Sequence, residues 1–210
     1  MSSERAHPVW GEPRPGALRR ALDRAAGAVR GRPRPSVPGL RELPLAMRHG
    51  ELATAYLDAE RLADHRRAGV VAAEAMDRAV GDAAWWPADV WAHRALWHFE
   101  RAEMTLAATR QARRIGDLRV AAGDPGSARR YYAEAIDEAR DIGAEHEQGL
   151  AAFGLGRALL DLGEVTQARR LAGAAVTLLE RSGASNEELV GARGLLGTEL
   201  RVSEAHEDGG

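Results

Sequence analysis

The chain of 210 residues has no cysteine, no lysine, one asparagine (Asn186) and only 5% aromatic residues. Without cysteine, disulfide frameworks, thiolate metal sites and thiol nucleophiles are excluded. A spanning helix needs an apolar run of about 18 residues or more, and none occurs. The N-terminus also lacks an apolar signal core, so the sequence predicts no membrane contact and a cytoplasmic location. Scarce aromatics beside abundant alanine argue against sheets, which favour β-branched and aromatic residues, and for helices that approach closely through small side chains. All 29 basic residues are arginine. Together with plentiful Ala, Gly and Pro, this points to GC-rich codons, as in an actinomycete, and carries no mechanism. What is present suffices for a core, since 45% of residues are hydrophobic.

A net charge of −2 conceals an asymmetry: residues 1–41 hold nine arginines against Glu4, Glu12 and Asp23. Seven of the nine prolines also fall before residue 45, which denies that stretch any long helix except between Pro15 and Pro33. There Ala17, Leu18, Ala21, Leu22, Ala25, Ala28 and Val29 recur at helical spacing. The reading is a basic, Pro/Arg-rich arm over residues 1–44 with one short amphipathic helix, followed by a helical body over 45–210. The arm fits a linker helix docked on the body, or an occupant of the body's groove in its own or a second copy. Contact with nucleic acid or anionic lipid is less well supported, because aromatic interleaving and denser charge are missing.

From Leu45 onward the pattern predicts eight helices: Leu45 to Leu62, Arg66 to Val80, Pro87 to Glu103, Leu106 to Ala122, Pro125 to Ile142, Glu147 to Leu162, Val165 to Arg181 and Asn186 to Ala205. Pro87 and Pro125 suit first turns, where a missing amide hydrogen costs nothing. Gly81, Gly123, Gly143, Gly163 and Gly183 stand where helices should stop, because glycine accepts the left-handed conformation that ends them. A phrase also recurs: Ile115-Gly116, Gly123-Asp124, Ala128, Tyr132 and Ala135 return 40 residues later as Leu155-Gly156, Gly163-Glu164, Ala168, Ala172 and Ala175. A fixed period of this kind marks stacked helical hairpins.

These segments resemble tetratricopeptide repeats, in which a large–small pair and a glycine organise the first helix and small residues let the second approach. The usual unit is about 34 residues. Forty therefore implies longer helices or a longer link, and Asp141 to Gln148 is the natural place for a link. The long-repeat subclass that it resembles occurs in bacterial signalling regulators and scaffold proteins. Upstream, Gly81-Asp82 sits two residues early against the phrase, which predicts a lengthened turn around Trp85 and Trp86. Gly50-Glu51 and Ala55 suggest a degenerate repeat, and Leu196-Gly197 a capping helix. The resemblance implies an all-α, right-handed superhelix of about three repeats.

The resemblance further implies that the first helix of each hairpin lines a concave, peptide-holding wall. Its exposed positions should be Arg110, Arg113, Arg114 and Asp117 in one repeat, and Leu150, Phe153, Arg157 and Asp161 in the next. Clustered arginines favour carboxylates, since the planar fork makes two charge-assisted bonds. The alternative is that they form i to i+4 ion pairs on a solvated helix. Trp97 projects about 180° from Ala88 and should stand off the core, where it could cover the arm, meet a second subunit in a homodimer or bind a partner. Trp91 flanks the core stripe.

Enzyme readings find little support. No glycine-rich phosphate loop occurs, His93 and His98 are too far apart around a helix to share a metal, and His146-Glu147 lacks a second histidine. Asp137, Glu138 and Asp141 read as a solvated face. The expectation is a non-catalytic adaptor or accessory protein without cofactor or metal, binding a protein or peptide of acidic character in a bacterial regulatory or biosynthetic pathway. Two alternatives are a sensor module of a transcriptional system acting through another subunit, and a small-molecule binder or helical enzyme with a pocket near the tryptophans.

Overall fold

The computed structural model describes the backbone of residues 50–207 and the side chains of residues 50–197. These lie in one of two compact units, the one spanning 37–210; the readings on the N-terminal arm fall outside the described residues. The described part is all-α: eight helices and no strand. They are α1 (Glu51–Arg61), α2 (His65–Gly81), α3 (Trp85–Arg101), α4 (Thr105–Ala121), α5 (Pro125–Asp141), α6 (Glu145–Asp161), α7 (Val165–Arg181) and α8 (Asn186–Glu207). Each packs on the next in sequence, most extensively α6 on α7 and α2 on α3, with α5 set equally against α4 and α6.

The six central helices are each 17 residues long. A three-residue turn joins each to the next, so the backbone repeats every 20 residues, and four residues, 182–185, lead into α8. The middle turn residue is left-handed at Ala63, Ala83, Glu103, Gly123, Gly143, Gly163 and Gly183. Two bonds close every turn: Gly123 N donates to Val120 O (2.9 Å) and Asp124 N to Arg119 O (2.8 Å), and the same pair recurs at Ala83 and Ala84 with 3.0 and 2.8 Å. This pattern satisfies carbonyls that a helix end leaves open.

Three expectations are corrected by this regularity. The turn before Trp85 is not lengthened: Ala83 takes the left-handed slot that glycine holds later, and Gly81 is the last residue of α2. The extra residues of the 40-residue period lie in longer helices, since 142–144 is a turn like the others. The helix expected from Leu45 to Leu62 is not continuous, because Gly50 is extended (ψ 161°) and α1 begins at Glu51, with residues 45–49 outside the described residues.

Sequence periodicity explains the packing. The second helices α5 and α7 bury a single stripe, Ala128, Tyr132, Ala135 and Ala139 in one and Ala168, Ala172, Ala175 and Leu179 in the other. Those are i, i+4, i+7 and i+11 positions, one face of a helix. The first helices are covered on two sides and bury more, nine residues in α6. Size is matched across each pair. A β-carbon on Gly69 would meet the Phe99 ring at 2.7 Å, and one on Gly149 would meet Leu179 Cγ at 2.9 Å. At the same register the middle pair has Thr109 and Ala139, both 0% exposed, with the bulk on the opposite partner.

Candidate functional site

The predicted arginine wall lies on α4 and α6, first helices of consecutive pairs, which touch each other directly. Most of its charge is already engaged. Arg110 Nε donates to Glu147 Oε1 at 2.7 Å, and Arg113 Nε reaches Glu147 Oε2 at 3.4 Å. Glu147 is 5% exposed, so two guanidinium groups of α4 hold one buried carboxylate of α6. Arg113 also pairs with Asp117 at 2.8 Å, whose other oxygen accepts the Tyr132 hydroxyl at 2.7 Å. Burial and the adjacent Asp117 push the Tyr132 phenol well above its ordinary pKa. Arg114 pairs with Asp77 of α2, and burial pulls its pKa down. Arg110, Arg113 and Arg114 are therefore cross-ties between first helices, with Arg113–Asp117 the one i to i+4 pair among them.

Glu147 was not a candidate from sequence. It sits in the first turn of α6, where acidic residues are expected to complement the helix dipole, and nothing in its spacing announces burial. Tyr132 owes its place to two glycines. A β-carbon on Gly116 would lie 2.7 Å from its ring and one on Gly154 2.4 Å, so α4 and α6 both leave a notch for it. The large–small pair supplies Gly116; Gly154 lies outside that phrase.

Arg157 differs from the other three arginines. It is exposed, its guanidinium stands 5.9 Å from the Phe153 ring centroid, and no described residue gives it a carboxylate partner. It borders a cavity of about 300 Å³ between α6 and α8, lined by Phe153, Arg157, Leu160, Asp161, Gly191 and Leu195. Gly191 of α8 faces the Phe153 ring, where a β-carbon would make ordinary van der Waals contact at 3.5 Å. α8 begins with a reciprocal cap, Ser185 N to Glu188 Oε2 at 2.8 Å and Glu188 N to Ser185 Oγ at 3.3 Å. Glu188 also meets His146 Nε2 at 3.1 Å, which ties this end of α8 to α6. The structure thus brings Phe153, Arg157 and Asp161 together, and leaves Leu150, half-buried on the same helix, outside the cavity lining.

Trp97 is separate from this groove. It is half-buried on α3, edge-on to the His65 ring at 5.3 Å with the Arg101 guanidinium 5.3 Å above it. Trp91 is 1% exposed and meets Tyr56 edge to face at 5.1 Å, whereas Trp85 and Trp86 are about half exposed. Among the described residues no three His, Asp or Glu side chains are grouped to hold a metal ion, and no helix is long and apolar enough to cross a membrane. No protein-family model, curated protein or solved structure matches the chain.

Proposed function

We propose that the protein is a non-catalytic peptide-binding module of tetratricopeptide-like design, a right-handed superhelix that holds a protein segment on its concave wall. The observation that carries this reading is Arg157. It is the predicted groove arginine without a described carboxylate partner, and it stands beside an aromatic ring at the edge of an open cavity. Phe153, Leu160 and Leu195 offer apolar contact and Arg157 a planar fork for a carboxylate, so the favoured ligand is a segment with an acidic residue next to an apolar one. Asp161 at the same rim disfavours a second acid and adds selectivity.

Selection of the full-length protein against a random peptide library tests this. Enriched sequences should share the acidic–apolar pair, and Arg157→Ala should weaken them about tenfold, the loss expected for one charge-assisted contact. Peptides without an acid, or binding indifferent to Arg157→Ala and Phe153→Ala, would overturn the reading. Arg113 is the wrong residue to reverse in such a test, because Glu147 would lose a partner and a failed capture would report folding.

A further inference from the structure

A second polar cluster lies where α1, α2 and α3 meet. His98 of α3 is 1% exposed. Its Nε2 is 2.9 Å from the Tyr56 hydroxyl and 3.6 Å from Glu60 Oε1, both on α1. Its Nδ1 is 3.0 Å from Nδ1 of His65, the first residue of α2. The Tyr56 hydroxyl donates to Glu60 Oε1 at 2.9 Å and accepts from Arg94 at 3.2 Å. A hydroxyl has one proton to give, so toward His98 it can only accept, and His98 Nε2 carries a hydrogen. Neutral His98 then presents a bare Nδ1, and His65 Nδ1 donates to it.

The two ring centroids are 5.3 Å apart, farther than the nitrogens by about one ring diameter. The nitrogens therefore face each other along the line between the rings, which is the geometry of a shared proton. A metal ion held by both would need the lone pairs to converge on a third point.

We propose that the His65–His98 contact is a proton-operated latch that holds α1 on α2 and α3 and opens on acidification. One added proton can be absorbed: His98 donates from both nitrogens while His65 changes tautomer and accepts. A second proton puts a hydrogen on both facing nitrogens and sets two like charges in contact. The charged and titratable groups around the pair are Glu60 and Tyr56 from α1, His65 itself from α2, and Arg94 from α3, with Arg101 farther out over Trp97. Glu60 sets a carboxylate against it, 3.6 Å from His98 Nε2. Burial first, and then His65 and Arg94, hold the His98 pKa down to about 4 against an ordinary 6.5, with Glu60 opposing them.

α1 is the shortest described helix, 11 residues with Ala53, Tyr56 and Ala59 buried. Its release would uncover the Tyr56 face of Trp91, whose indole nitrogen is buried without a partner. Acid would thereby uncover an aromatic face of α3 that α1 covers at neutral pH.

Amide hydrogen exchange on the full-length protein tests the latch, with intrinsic rates corrected for pH. Protection over residues 51–61 should fall about tenfold or more as pH drops from 6.5 toward 4, while α5 and α7 keep theirs. His65→Asn, which cannot take the second proton, should retain α1 protection at low pH. Unchanged α1 protection in the wild type, a loss spread evenly over all helices, or an equal loss in His65→Asn would overturn the proposal. If His65→Asn lacks α1 protection even at neutral pH, wild-type imidazole titration by NMR decides. Coupled two-step curves for His65 and His98 support the shared proton, and independent single steps refute it.

Discussion

The turns centred on residues 63, 83 and 103 and those centred on 123, 143, 163 and 183 share one backbone, yet the first three carry Ala, Ala and Glu and the last four carry Gly. A β-carbon in the left-handed region costs about 1 kcal/mol or more, so the N-terminal helices tolerate a strain that the C-terminal ones avoid. The two regions differ inversely in their cores. Tyr56, Met76, Trp91, His98 and Phe99 are buried around α1 to α3, whereas α5 to α7 bury mainly alanine and leucine with Tyr132. Large side chains bury more apolar area, and their contribution offsets strained turns. The comparison teaches that helix length and packing impose the turn, and that the turn residue follows where it can.

The strongest way to break the comparison is Trp91→Ala. It should destabilise the N-terminal helices by about 3 to 5 kcal/mol, as expected when a fully buried indole leaves a cavity. Hydrogen exchange should show α1 to α3 loosening while α5 to α7 keep their protection; uniform loosening would mean that both regions share one core. A smaller effect is expected in the C-terminal region from Gly154→Ala, where the new methyl meets Tyr132. Denaturant melts should show a loss of about 1 to 3 kcal/mol, and much of it should vanish in a Tyr132→Ala background, since the two sites are in contact.

The turns themselves give the smallest and most diagnostic change. Ala83→Gly and Glu103→Gly should each stabilise by about 1 kcal/mol and Gly123→Ala should destabilise by a similar amount, read as opposite shifts in Tm. Equal signs in both regions would show that the N-terminal turns are not strained. Acid sharpens the contrast further. The unfolded chain takes up a proton on His98 that the fold resists, so its contribution is complete above pH 6.5 and is lost as pH falls toward 4. The loss belongs to the aromatic end.

Helix number and most boundaries were legible because Pro and Gly punctuate the chain and alanine marks one face of each second helix. The start of α3 at Trp85 rather than Pro87 has a physical reason: the left-handed slot at 83 is filled by alanine, so Gly81-Asp82 reads as the turn residues and the turn looks longer than it is. The candidate site was legible as a list of residues on first helices and illegible as a charge state. Arg110, Arg113 and Arg157 look alike in sequence, and what separates them is Glu147, a residue 34 to 37 positions from the first two that only the packing of α6 on α4 brings into reach. His98 was visible as a histidine on a helix, but its contacts come from α1 and α2, and no local spacing encodes them.

The 20-residue step between left-handed turn residues has a consequence for how such a chain can grow. An insertion of one step reverses the direction of every later helix and exchanges the two roles, single-stripe and doubly covered. An insertion of two steps restores both. A gene encoding this register can therefore lengthen by duplicating 40-residue units without redesigning a junction, provided the new pair brings its own small-for-large match, such as Gly149 against Leu179.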